Sequence, residues 1–252
     1  MLIDCHIHPA IDADTNICRH IPVGDFNNQV EILLRAGISR ACGALVSRRP
    51  IASFQDVRQL NDAALRLRDA HPDFYIPGVS IHPAYPEESC RELKRVHAAG
   101  VRWVGELVGY MMGYGEEYAT PPALSIMSTA ADLGMVVNFH CGNLATIEAL
   151  ALAVPSLKLV LAHPGDGDEF LKRIELLAKL PNLHLDISGT GIDRYGMVRH
   201  AMNRAGKNKI LFGSDFPVNN PAVYIHGARF EPLTQEEQDA LFYANVLRLL
   251  EA

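Results

Sequence analysis

Strand-like and helix-like segments alternate along this chain, and this alternation limits the fold more than any other feature. Eight short apolar segments, the first at residues 2–8 and the last at residues 210–212, are each followed by a stretch with helical periodicity. Parallel strands joined by helices build a closed barrel or an open doubly wound sheet. Eight units in 252 residues match a barrel, and no GxGxxG motif follows a strand. We therefore predict a distorted (β/α)8 TIM barrel of the α/β class, a single domain over residues 1–252.

Two histidines end the first strand, in the stretch Asp4-Cys5-His6-Ile7-His8. Because side chains alternate along a strand, one face is expected to carry Leu2, Asp4, His6 and His8. The two imidazoles then lie about 6–7 Å apart along the backbone and can converge on one divalent ion, such as zinc. Asp4 is placed to orient one of the rings. Two imidazoles are too few for a tight site, so this hypothesis depends on ligands from later strands.

Later strands also end in side chains that bind metals: Glu106 in strand four, His140 after strand five, His163 after strand six and Asp215 after strand eight. In a barrel, the carboxyl ends of all strands face one active site. A single histidine at the end of an apolar strand is usually a hydrogen-bonded structural residue. Five strands that end in ligand-type side chains, the first with two histidines, instead indicate a metal centre.

Several motifs along nearly the whole chain resemble the metal-dependent amidohydrolase superfamily, and most closely its amidohydrolase-related (amidohydrolase 2) TIM-barrel members. They are Asp4-Cys5-His6-Ile7-His8, Asn138-Phe139-His140, Leu161-Ala162-His163-Pro164-Gly165, Leu211-Phe212-Gly213-Ser214-Asp215-Phe216-Pro217 and the tail Ala244-Asn245-Val246-Leu247-Arg248-Leu249. The resemblance implies that His6, His8, His140 and Asp215 bind metal. It further implies that His163 either binds a second metal or stabilises the transition state.

The segment Gly105-Glu106-Leu107 resembles the strand-four glutamate of the TatD-like branch, which bridges two metals. A bridging Glu106 implies one ion on His6, His8 and Asp215, and a second ion on His140 and His163. The alternative is a single ion on His6, His8, His140 and Asp215, with Glu106 paired to a cation such as Arg102. Strand alternation is expected to place Arg102, Val104 and Glu106 on one face.

This site predicts a hydrolase in which a metal-activated water cleaves an amide, ester, lactone or phosphoester bond of a small molecule. Asp215 is expected to move the proton of the water. His163, or the metal, is expected to polarise the carbonyl or phosphoryl oxygen. Three alternatives stay open: a non-oxidative decarboxylase on the same barrel, a TatD-like nuclease, and a metal-binding protein without catalysis.

Composition limits the partners and the compartment. The net charge is −6 and the pI is about 6.0, which argues against nucleic acid and anionic membranes as main partners. The apolar runs are too short to span a bilayer. The chain enters a strand at once, so we expect no signal peptide and a cytoplasmic location. The five cysteines are scattered, which is unlike a disulfide framework. Whether the chain forms a homo-oligomer stays open.

Substrate choice is expected to depend on loops that follow the strands. The connection 109–120, rich in Gly, Tyr and Met, is either a lid over the substrate or a loop without function. The loop at 188–194 is the second candidate. Arg102 and Tyr114 are candidate ligands of a substrate carboxylate, although surface roles suit both. His82, in a segment that also resembles the TatD-like branch, is expected near the pocket.

Overall fold

A computed structural model describes residues 1–18, 20, 25–191 and 193–251. Within these ranges, eight parallel strands form one sheet, and their order in the sheet is their order in the sequence. The strands are β1 Ile3–Asp4, β2 Arg40–Gly43, β3 Tyr75–Val79, β4 Trp103–Leu107, β5 Val136–Phe139, β6 Lys158–Leu161, β7 Leu183–Asp186 and β8 Ile210–Leu211.

Helices follow the strands and cover the outside of the sheet. They are α1 Phe26–Arg35, α2 Phe54–Ala70, α3 Pro86–Ala98, α4 Gly109–Met112, α5 Pro121–Asp132, α6 Leu144–Ala153, α7 Gly167–Lys179, α8 Met197–Ala205, α9 Pro221–Phe230, α10 Gln235–Asp239 and α11 Asn245–Glu251. A π-helical turn, Ala240–Ala244, joins the last two. No helix of the described residues is long and apolar enough to cross a membrane.

Polar side chains at the helix starts explain why the chain turns into helix where it does. The Asp25 carboxylate accepts the backbone N–H of Asn28 at 3.0 Å and caps α1. Thr234 and Glu237 form a reciprocal capping box at the start of α10. These caps satisfy N–H groups that have no partner inside the helix.

The chain segments that follow β1 and β8 close the sheet into a barrel. The backbone N–H of Cys5 donates to the carbonyl oxygen of Phe212 at 2.9 Å, and the N–H of Asp215 donates to that of His6 at 2.8 Å. The N–H of His8 donates to the carbonyl of Phe216 at 2.7 Å. The predicted distorted TIM barrel is therefore confirmed. Closure also places the stretch with both histidines directly beside the stretch with Asp215.

The barrel has two apolar layers. The larger lies between the strands and the helices, whereas the smaller fills the inside of the barrel. The inner layer consists of Ile3, Cys5, Cys42, Ile76, Trp103, Val136, Val160, Leu211, Val246 and Leu249. The last two belong to α11, so that helix covers one end of the barrel and the polar strand ends occupy the other.

The predicted shared face of β1 is correct for His6 and His8, whose Nε2 atoms lie 3.2 Å apart, but wrong for Leu2. Leu2 packs in the outer layer, and Ile3 and Cys5 pack inside. Regular pairing ends at Asp4, whose carboxylate accepts the backbone N–H of His6 at 3.1 Å. This local turn shifts the alternation by one residue, so that His6 also reaches the inside.

The predicted shared face of β4 is wrong for the same kind of reason. Val104 packs outside and Trp103 inside, so strict alternation would turn Glu106 outward. The pairing with β5 instead shifts register between Val104 and Leu107, and Gly105 adopts a φ of 90°. An extra residue in a strand reverses the faces beyond it, and this irregularity brings Glu106 into the barrel.

The connection 109–120 packs onto the barrel more closely than an open loop does. It begins with α4, and the Tyr118 hydroxyl donates to the carbonyl of Leu107 at 2.8 Å. Tyr114 is buried as well, so the predicted surface role of this residue is wrong. Tyr110 is exposed, and its ring contacts the ring of His140 edge-on. The lid function of this segment stays a prediction.

Candidate metal centre

All six predicted site residues lie together at the carboxyl end of the barrel. His6 and His8 follow β1, Glu106 lies in β4, and the others follow β5, β6 and β8: His140, His163 and Asp215. The side chain of His140 is 33% exposed and that of His163 is 15% exposed, whereas His6 and Glu106 are almost fully buried. The site is therefore open to solvent on the His140 side.

The first half of the site contains the two histidines that follow β1. Their Nε2 atoms lie 3.2 Å apart, and each lies 3.1 Å from Oε2 of Glu106. Oδ1 of Asp215 lies 3.3 Å from Nε2 of His8 and 3.7 Å from Nε2 of His6. Two imidazoles and two carboxylates thus point at one small volume.

The second half contains the histidines that follow β5 and β6. Oε1 of Glu106 lies 3.2 Å from Nδ1 of His140 and 3.3 Å from Nε2 of His163. Each oxygen of the Glu106 carboxylate therefore faces a different pair of imidazoles. Arg102 does not pair with it, because its guanidinium donates to the carbonyl oxygens of His97 and Val101.

Hydrogen bonds to the other ring nitrogens fix the orientation of the first pair. Nδ1 of His6 lies 2.9 Å from Oδ2 of Asp186, and Nδ1 of His8 lies 3.2 Å from the carbonyl oxygen of Ala44. Both acceptors require a proton on Nδ1 of the neutral ring, which leaves a lone pair on each Nε2. The lone pairs then point at each other and at Glu106.

Asp186 therefore orients the ring of His6, which was predicted for Asp4. The Asp4 carboxylate instead accepts the backbone N–H of Ser214 at 3.0 Å and the hydroxyl of Ser214 at 2.5 Å. Burial raises the pKa of Asp4 to about 7, although these hydrogen bonds oppose the shift. Asp4 thus ties the end of β1 to the stretch that follows β8.

Sequence reasoning missed Asp186 and the polar residues around it. The hydroxyl of Ser188 lies 2.9 Å from Nδ1 of both His6 and His163, and it donates to Asp186. Nδ2 of Asn138 donates to Oδ2 of Asp186 at 3.0 Å. One signal was available: Asp186 ends strand seven just as the predicted ligands end theirs. His82 lies beside α4, where its Nε2 is 3.2 Å from the carbonyl oxygen of Met112, and its place near the pocket stays a prediction.

Two ligand candidates have an unusual backbone conformation. His163 and Asp215 have φ angles of 66° and 61°, in the left-handed region that few non-glycine residues adopt. Such residues persist where the surrounding structure holds them, which is common at functional sites. A β-carbon on Gly189 would lie 2.2 Å from Nδ1 of His163, so only glycine lets this ring approach the chain after β7.

The electrostatics of the cluster favour a bound cation. Burial alone would raise the pKa of Glu106, but charge on His6 and hydrogen bonds from the other imidazoles hold it well below 4.5. Burial lowers the pKa of His8, but hydrogen bonds with Asp215 and Glu106 outweigh this and raise it to about 9. The pKa of His6 lies well above 6.5 for a similar reason.

These donor groups fit a divalent metal. Facing lone pairs about 3 Å apart need positive charge between them, which a proton or a metal ion supplies. Imidazole nitrogen and carboxylate oxygen are ligands of zinc, manganese and related ions. Among the residues that the structure describes, three overlapping sets offer donor atoms within 4.8 Å of one another: His6, His8 and Glu106; His6, His163 and Asp186; and Glu106, His140 and His163.

A comparison with protein families agrees with this site. The amidohydrolase family model (Amidohydro_2) matches residues 3–251. The chain belongs to the amidohydrolase family. Together with the histidine and carboxylate cluster, membership identifies an amidohydrolase-fold, metal-dependent enzyme with a divalent-metal centre.

Solved structures share the fold of this amidohydrolase-family chain over its full length. A structure titled amidohydrolase II is 17% identical, covers 100% of both chains and has a TM-score of 0.79. Dihydroxybenzoic acid decarboxylase from Polaromonas, with bound manganese and an inhibitor, is 16% identical over 99% of this chain and 96% of that chain, with a TM-score of 0.77. The 5-carboxyvanillate decarboxylase from Sphingomonas paucimobilis is 15% identical over 99% of this chain and 98% of that chain, with a TM-score of 0.74. None of the curated proteins matches the chain.

Proposed function

We propose that this chain is a hydrolase of small molecules that works with two divalent ions. One observation carries the proposal: the Glu106 carboxylate lies between two pairs of imidazoles, and each of its oxygens faces one pair. A buried carboxylate in that position is satisfied by a cation on each side. In a single-ion site, protons on His140 and His163 would have to supply the positive charge that faces the other oxygen.

The residues divide between the two ions by their distances. His6, His8 and Asp215 would hold one ion, and His140 and His163 would hold the other. Glu106 would bind both. When bound, the ions would supply Lewis acidity, which lowers the pKa of a water molecule toward neutrality. Zinc suits this donor set and remains our proposed metal.

Asp215 is the proposed proton carrier. Its Oδ2 accepts a hydrogen bond from Nδ2 of Asn219 at 3.1 Å, and its Oδ1 faces His8. The carboxylate is held at the edge of the cluster and keeps some solvent contact, with 8% of the residue exposed. It takes a proton from the attacking water and gives it to the leaving group. His163 is the second proposed catalytic residue: as a ligand of the second ion, it would hold the Lewis acid that polarises the substrate oxygen.

A cavity of about 470 Å³ beside the cluster suits a small polar substrate. Two contacts join it to the site, because Asn219 in its wall bonds Asp215 and Gly189 packs on His163. Most of the other lining side chains are polar. They come from the loops after β6, β7 and β8 and from the start of α9: Asp166, Thr190, Asp193, Arg194, Asn220, Val223 and Tyr224. The 188–194 loop, predicted to decide the substrate, thus contributes to this wall.

A non-oxidative decarboxylase is the second candidate. The observation that favours it is the likeness of this barrel to dihydroxybenzoic acid decarboxylase with bound manganese and to 5-carboxyvanillate decarboxylase. In such a reaction the same site would hold the substrate carboxylate, the bond between that group and its carbon would break to release carbon dioxide, and a proton would take its place on that carbon. Manganese would suit the site as well as zinc.

Isotope-labelled water separates the two candidates. The zinc- or manganese-loaded protein is incubated in ¹⁸O-water with amides, esters, lactones, phosphoesters and hydroxybenzoates, and the products and the headspace are analysed by mass spectrometry. A hydrolase incorporates ¹⁸O into its product and releases no carbon dioxide. Carbon dioxide release from a hydroxybenzoate without such incorporation would decide for the decarboxylase. Asp215→Asn serves as the inactive control.

A further inference from the structure

Arg173 lies in α7, and its guanidinium contacts the backbone of the segments that carry His140 and His163. Only 6% of the residue is exposed. Its Nη1 donates to the carbonyl oxygen of His163 at 2.7 Å and to that of Ala162 at 3.2 Å. Its Nη2 donates to the carbonyl oxygen of Cys141 at 3.2 Å. One side chain thus joins the chain after β5 to the chain after β6.

Both joined segments carry ligands of the second proposed ion. The carbonyl oxygen of His163 itself accepts a hydrogen bond from the guanidinium. Cys141, whose carbonyl oxygen accepts another, directly follows His140 in the sequence. Carbonyl groups beyond the end of a parallel strand have lost their partners in the sheet and need other donors. His163 also has a φ of 66°, so its position depends on contacts outside regular structure.

The chemistry of arginine suits this role better than that of lysine. A guanidinium is planar and always charged, and its fork donates in two directions at once. A lysine ammonium is a point charge on a flexible stem, so it serves one strand end at a time. Charge-assisted hydrogen bonds in a buried place are strong, and their loss leaves carbonyl groups unsatisfied.

We propose that Arg173 is a positioning residue that holds His140 and His163 in the arrangement that binds the second ion. This inference rests on the two-ion function proposed above. The first pair depends on other contacts, since Asp186 and Ala44 orient His6 and His8. Loss of Arg173 therefore weakens one half of the site selectively.

Glu169 supplies a matched control on the same helix. Its carboxylate pairs with Nη2 of Arg173 at 2.5 Å, but its side chain is 51% exposed. The guanidinium contacts the ligand-bearing segments through the carbonyl oxygens of His163 and Cys141, whereas Glu169 lies on its solvent side, so the carbonyl contacts, and not this pair, are expected to position the ligands. Glu169→Gln removes the charge and leaves the guanidinium in place.

The first experiment is a calorimetric titration of the metal-free protein with Zn²⁺ or Mn²⁺. Elemental analysis of the loaded protein then gives the number of bound ions. Arg173→Met is expected to keep the first ion and to bind the second about 10–100-fold more weakly, the usual effect of losing a group that supports metal ligands. Arg173→Lys is expected to fall between it and the wild type, and Glu169→Gln to match the wild type. Unchanged binding of both ions by Arg173→Met, or equal loss in Glu169→Gln, would overturn the proposal.

The second experiment does not depend on the number of ions. Long-range ¹H–¹⁵N spectra of the metal-free protein report each imidazole. Arg173→Met, or Arg173→Lys if the first variant does not fold, is expected to shift the signals of His140 and His163 while that of His8 stays in place. If the wild type binds one ion and these shifts appear, the two-ion function fails and the positioning role stands. If the His140 and His163 signals do not move, the role of Arg173 is wrong whatever the ion count.

Discussion

The Asp186 carboxylate accepts a hydrogen bond from Nδ1 of His6 at 2.9 Å, and this contact sets the face that His6 presents to the metal site. The opposite nitrogen, Nε2, lies 3.1 Å from Glu106. A carboxylate behind a metal-binding histidine fixes the tautomer and raises the basicity of the ring. The metal centre therefore extends one residue beyond its ligands, into the end of β7.

Asp186→Asn tests this support. The amide has nearly the shape of the carboxylate but lacks its charge, so His6 becomes a weaker ligand. We expect metal affinity to fall about 10–100-fold, measured by competition with a chelator. Asp62→Asn, which breaks a half-exposed pair with Arg95, is the control and should leave metal affinity unchanged. Equal affinity in Asp186→Asn and the wild type would contradict the role.

Asp215→Asn tests the proton carrier. The amide keeps an oxygen near His8 but cannot accept the proton of the water. Turnover should fall by roughly two to four orders of magnitude, the usual contribution of a general base, while metal content falls less. Stopped assays and elemental analysis of the same sample provide both numbers. Near-normal turnover would exclude Asp215 from this role.

Glu106→Gln tests the bridge between the two halves of the site. Glutamine turns an N–H₂ group toward one pair of imidazoles, and an amide nitrogen does not bind metal. The more weakly held ion should be lost first, so the metal content should fall from two ions toward one. Anomalous scattering from metal-saturated crystals gives the count. A wild-type structure with one ion, and with Glu106 outside coordination distance, would decide for the single-ion site.

His184 should make the stability of the barrel depend on pH. Burial lowers its pKa from 6.5 to about 4, although a hydrogen bond from its ring to the carbonyl of Leu159 opposes the shift. Between these values the unfolded chain binds more protons than the folded chain. The stabilisation is therefore complete above pH 6.5 and is lost as the pH falls toward 4.

The expected loss between pH 7.5 and pH 5 is about 2 kcal/mol from this residue. Urea unfolding at both pH values measures it. His184→Asn keeps a donor near Leu159 but does not titrate. Between pH 7.5 and pH 5 its free energy of unfolding should therefore fall by about 2 kcal/mol less than that of the wild type. Identical pH dependence of the two proteins would show that His184 does not titrate as described.

The sequence by itself determined the barrel and pointed to the ligand candidates of the site. Strand and helix periods are local properties of the chain, and eight alternating units leave few other closed arrangements. The ligand candidates were visible for the same reason: each ends an apolar strand, and parallel strands in a barrel end on one side. Thus His6, His140 and His163 could be grouped before any distance was known.

Only the tertiary structure decided how these residues face one another. Alternation predicted the wrong face for Leu2 and for β4, because a turn at Asp4 and a register shift at Gly105 depend on pairing with neighbouring strands. The support from Asp186 and Arg173 also escaped prediction, since it joins residues far apart in sequence. Local periodicity fixes which residues reach the end of a strand, whereas long-range contacts fix where their side chains point.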